Sequence, residues 1–100
     1  MTGDPQPAVL RLLVSPQARR GETITAAIDA TNVPETVVKL EPSDRMVISQ
    51  PHTVVAGAGT FQQTVRWTVE HVQEGTTSWV EITVFVGSVV FQKGLCKVVG

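Results

Sequence analysis

The side chains able to do chemistry are few and scattered: His52 and His71, a lone Cys96, and acids such as Asp44, Glu70, Glu74 and Glu81. Nucleophilic catalysis needs a Ser or Cys beside a base that a third group orients. No GxSxG elbow is present, and Cys96 falls in a segment that reads as a core strand. There it acts as a small apolar residue. Metal binding needs several ligands converging at fixed spacing. The two histidines sit in different segments, no cysteine pair exists, and PSDR around Asp44 offers a single acid in a turn. The run AGAG at residues 56–59 has the composition of a phosphate-cradling loop. Such a loop needs a following helix whose free amides meet the anion. A strand pattern follows instead, so the run reads as a turn. The scattered glutamates read as a solvated face. No catalytic, cofactor or metal residue is expected, and the chain is not read as an enzyme.

Charge narrows the partners. The net charge is −1, with 8 Lys and Arg spread along 100 residues and only Arg19-Arg20 adjacent. Nucleic-acid affinity rests on neutralising several phosphates from one face, so no nucleic-acid partner is expected. One cysteine excludes an internal disulfide. No apolar run reaches the roughly 18 residues that span a bilayer as a helix. The start MTGDPQP is polar and proline-broken, unlike a signal peptide. Residues 1–7 are expected as a flexible lead-in and residues 8–100 as one domain.

The elements that must position any site read as strands. Apolar residues make up 42% and charged residues 17%, enough for one aliphatic core. Leu10, Leu12 and Val14 share one face of a first strand over residues 8–15, which Pro16 stops. PQARRG then reads as a turn. Residues 22–31 alternate cleanly: Ile24, Ala26, Ile28 and Ala30 inward, Thr23, Thr25, Asp29 and Thr31 outward. Asn32-Val33-Pro34 is expected to turn the chain into a strand over residues 36–40. A short strand at residues 46–49 and an extended piece at 52–56 follow, the latter ended by the AGAG turn. From Thr60 the alternation returns, with Phe61, Val65, Trp67 and Val69 inward. The indole N–H of a buried Trp67 needs a partner.

A final hairpin is expected about Gly87-Ser88, with Val80, Ile82, Val84 and Val86 inward on its first arm. Val89 and Phe91 then face inward on the second arm, and so would Lys93. A buried unpaired lysine is costly, so a bulge near Gln92-Lys93-Gly94 is expected to turn Cys96 and Val98 inward. Trp79, Phe85 and Val90 fall on the outer face. Large apolar groups on a threonine-rich face mark a contact patch, unless a loop or the N-terminal segment covers them. Trp79 and Phe85 also allow a carbohydrate-binding face, the rival reading.

The order of features, LLVSPQARRGETITAAIDAT, then VVKLEPSDRMVISQPHTVVAGAGTFQQTVRWTV, then VEITVFVGSVVFQKGLCKV, resembles bacterial immunoglobulin-like repeat modules of surface and secreted proteins. The resemblance spans residues 10–98. It implies an all-β, immunoglobulin-like sandwich of about seven antiparallel strands. It also implies a structural or adhesive role through protein partners: itself, neighbouring modules or a larger assembly. Such an assembly is a cell surface for a repeat unit, or a virion or appendage for a decoration protein. Cys96 and Trp79 depart from the usual pattern.

Overall fold

The computed structural model describes residues 7–100. Among them the chain forms seven strands and no helix: β1 (Val9–Val14), β2 (Gln17–Arg19), β3 (Thr23–Glu41), β4 (Met46–Ile48), β5 (Thr53–Val72), β6 (Thr77–Val86) and β7 (Val89–Val99). The protein is all-β. The strands form one open sheet in the order β2-β7-β6-β3-β5-β4, with β1 also paired to β3. All pairings are antiparallel except β2 with β7, which is parallel. The lead-in expected over residues 1–7 lies outside the described residues except for Pro7, which is exposed.

Two expected turns are not reversals. Asn32-Val33-Pro34 lies inside β3, and the AGAG run lies inside β5. β3 and β5 stay paired through both places, from Thr23 opposite Thr68 to Lys39 opposite Thr53, with register shifts between Ala30 and Val37. Asn32 (φ 54) and Gly59 (φ 80) take left-handed backbone there, and Pro34 has no N–H to give a ladder. Punctuation residues that usually end a strand here make a bulged corner in two long ones. PQARRG also holds a short strand, β2, whose Ala18 is buried. Only the parallel partner β7 makes that segment a strand, and its own residues carry no such signal.

The corner folds the sheet over. Val14 pairs with Ala26, whereas Gly94 lies beside Ile82 and through it beside Leu40. Ala26 and Leu40 are fourteen positions apart on β3, about 46 Å if the strand ran straight. Yet a Cβ built on Gly94 would lie 2.6 Å from Val14 Cγ2 and 3.7 Å from Leu12 Cδ2. β1 therefore lies across β7, and the two halves of β3 face one another. The inward faces enclose one core: Leu10, Ile24, Ala26 and Ile28 from one half, and Val38, Leu40, Val80, Ile82, Val84, Cys96 and Val98 from the other. Trp67 is the largest buried side chain, and its indole N–H donates to Pro51 O at 3.0 Å. That meets the requirement set by burying a donor.

The final hairpin turns at Gly87-Ser88, where Gly87 has φ 61. A left-handed first turn residue fits the type II′ connection. The bulge exists but sits earlier than expected, between the pairs Val84–Gln92 and Phe85–Val90. Phe91 is the extra residue. It and Val89 are exposed, not inward, because the second arm runs past the folded-over layer at the hairpin tip. Beyond the bulge Lys93 faces outward, and Cys96 and Val98 are buried.

Trp67→Ala is expected to cost about 3–5 kcal/mol in denaturant unfolding, the usual toll for removing a buried indole. Gly94→Ala is expected to cost about 1–3 kcal/mol through overpacking. Most of that loss should vanish on a Val14→Ala background, because Val14 is the group the new methyl meets. Additive losses in this cycle would contradict the β1-on-β7 contact.

Candidate functional site

The fold-over leaves two outer faces. On the half built from β6, β7 and the ends of β3 and β5, register alone sets the neighbours. Val55 pairs with Val37, Val37 with Phe85, and Phe85 with Val90. The result is an apolar row across four strands. Val55 is 60% and Val90 48% exposed, while Val37 and Phe85 between them are half-buried. Alternation puts these side chains on the face opposite Val38 and Val84, which belong to the core. Exposed Phe91 flanks the row at the bulge.

The next rows along the strands are charged. Thr83 lies between Lys39 and Lys93, and Glu81 lies beside Glu41. Lys39 Nζ reaches Glu41 Oε1 at 3.4 Å and Lys93 Nζ donates to Glu81 Oε1 at 2.8 Å. The apolar stems of two lysines on either side account for a buried Thr83 on an outer face. The hydrogen bond to Glu81, then its charge, raises the Lys93 pKa above the ordinary amine value. A raised amine pKa stabilises the fold below the unfolded pKa and is lost as pH rises through the folded one. This pair is solvated, so its contribution is small.

Trp79 lies beyond those charged rows, opposite Lys97 and diagonal to Leu95. It is 56% exposed. Six residues along β6 separate it from Phe85, about 20 Å in a strand. Of the three residues expected to form one patch, Phe85 and Val90 pair across strands and Trp79 stands apart. Two members of the row, Val37 and Val55, escaped the sequence reading. Their only signal is the pairing of β3 with β5, which the expected strand breaks concealed.

The other outer face belongs to β1, the first half of β3 and the second half of β5. Arg11, Asp29 and Gln62 stand side by side, as do Leu13, Ala27 and Thr64. With Arg66 they line a shallow open groove of about 810 Å³. Leu13 is 75% exposed in its floor, the residue that broke the alternation of the first strand.

Among the described residues no three His, Cys, Asp or Glu side chains are grouped to hold a metal ion, and no helix is long and apolar enough to cross a membrane. His52 Nε2 lies 2.9 Å from Ile48 O, a local structural bond. Cys96, on β7 opposite Val80 of β6, is buried in the core, and burial pushes its pKa up. Comparison with protein-family models, curated proteins and solved structures finds no match.

Folding raises the thiol pKa, so stability is full below the unfolded pKa and falls as pH climbs toward the folded one. Cys96 is expected to resist a thiol-alkylating reagent at neutral pH and to react only on unfolding. Labelling at the rate of a free peptide thiol would show that the β6–β7 hairpin opens in the native protein.

Proposed function

We propose that this chain is a non-catalytic protein-contact module of immunoglobulin-like, two-layered design that builds or decorates a larger assembly. The observation that carries this reading is the row Val55–Val37–Phe85–Val90, with Phe91 beside it. A contiguous row of exposed and half-buried apolar side chains framed by paired charges has the usual anatomy of a protein contact, with a dry centre and a polar rim. Lys39, Glu41, Lys93 and Glu81 supply such a rim along one side. The fold-over that brings β1 across β7 supports the two-layered, immunoglobulin-like form.

The carbohydrate reading draws less support. Stacking on sugar rings calls for aromatic side chains in one flat row. Trp79 and Phe85 are separated instead by charged rows, and no aromatic ring lines the groove of the other face.

Val55→Asp with Val90→Asp tests the reading, because both side chains are exposed and neither holds the core. The double variant is expected to keep the unfolding midpoint of the parent and to lose capture of its protein partner by at least tenfold, about 1.4 kcal/mol. Tryptophan emission, to which Trp67 and Trp79 both contribute, should stay unchanged across a panel of polysaccharides. A saturable emission change with one of them, together with undiminished protein capture by the double variant, would overturn the proposal.

A further inference from the structure

The edge of β5 that faces away from β3 is open over much of its length. Thr68 marks where it is closed: Ser49 N–H donates to Thr68 O at 3.0 Å, and Thr68 N–H donates to Ser49 Oγ at 2.8 Å. One position on, Val69 N–H donates to Glu22 O at 3.0 Å, toward β3. Backbone groups alternate in direction along an antiparallel strand. The register from Thr23–Thr68 to Ala30–Phe61 has no break. Arg66, Thr64 and Gln62 therefore turn their N–H and C=O outward, and no described strand pairs with them on that side.

Natural edges are shielded by proline, by lysine, by bulges or by a covering segment. The edge of β7 has such shields, with a bulge at Phe91 and Lys93 beyond it. Between Phe61 and Trp67, β5 has no proline, lysine or bulge, and Arg66 is its single charged side chain. Its usable stretch is bounded at one end by Ser49 and β4, and at the other by the corner at Gly59. Thr64 is the midpoint of residues 61–67.

We propose that this edge pairs with the same edge of a second copy, antiparallel, about a two-fold axis through Thr64. In that register residues 61–67 of each copy face 67–61 of the other, and every outward backbone group meets an outward group. Each strand then reaches its own corner where the other copy's β4 begins, so the bounded stretch suits a strand of equal length. The charges agree. Arg66 is the one charged residue in the stretch. It faces Gln62 of the second copy, not Arg66, and that Gln62 stands beside Asp29. A guanidinium thus comes within side-chain reach of a carboxylate from each side, and the grooves of the two copies join across the axis. Such a contact is isologous and closes at two copies, and strand addition to a free edge is a recurring recognition mode. The inference rests on reading the chain as a protein-contact module, but it uses neither Phe85 nor Val90.

Thr64→Pro is the decisive variant. Its N–H points away from β3, so the substitution removes no bond of the native ladder and proline is tolerated at such an edge position. Measured by light scattering across a wide concentration range, the parent is expected to reach twice the chain mass. Thr64→Pro should remain at the chain mass with an unchanged circular dichroism spectrum, its association weakened by at least about tenfold. As a check independent of proline, Thr64→Cys should form an intermolecular disulfide under mild oxidation, since directly opposed strand positions lie about 5.5 Å apart. A parent that stays at the chain mass throughout overturns the proposal. So does a folded Thr64→Pro that still doubles its mass, or a Thr64→Cys that fails to cross-link. Doubling lost in Val55→Asp with Val90→Asp but kept in Thr64→Pro would place self-association on the apolar row, leaving the contact-module reading intact and this inference refuted.

Discussion

The structure depends on one corner. β3 and β5 run as a continuous antiparallel pair and bend together where Asn32, Pro34, Gly57 and Gly59 fall. Without that bend the sheet would be flat and each strand would have one apolar face in water. With it, the face of Ile24, Ala26 and Ile28 closes on the face of Val80, Ile82 and Cys96, and both are buried. The hydrophobic effect supplies the drive, but the corner supplies the geometry. It needs residues whose backbone can leave the β region without steric cost, and glycine and asparagine are those residues.

The close approach of β1 to β7 follows from that folding. Gly94 has no side chain where Val14 arrives, and its neighbours in sequence, Lys93 and Leu95, point to solvent. A bulge three residues earlier sets this phase. An unbulged second arm would put Lys93 against the core, where its charge would go unpaired. The bulge instead lets Lys93 meet Glu81 in water and leaves Phe91 at the exposed tip. Burial and charge solvation thus select the same register.

Outer faces and open edges are what remains once the core is satisfied. The row from Val55 to Val90 exists because residues distant in the chain share a register line across four strands. The open edge of β5 exists because β4 is too short to cover it. Neither feature contributes to the core, and both leave groups that a second surface can satisfy: apolar side chains in one case, backbone amides and carbonyls in the other.

The all-β class, the inward residues of residues 22–31 and 60–69, the turn at Gly87-Ser88 and the need for a bulge before Cys96 were all legible in the sequence. Each rests on local physics, either the two-residue period of a strand or the cost of burying a lysine. Those same rules misread Asn32-Val33-Pro34 and the AGAG run as reversals, because the same backbone freedom serves a turn or a corner. Which one forms depends on whether a neighbouring strand continues past it. β2 likewise reads as a turn until β7 lies beside it. Trp79, Phe85 and Val90 lie on an outer face, and which of them stand together depends on partners from other strands. Periodicity determined which way each side chain points. Only the tertiary structure decided what it points beside, because strand register is set by contacts between residues far apart in the chain.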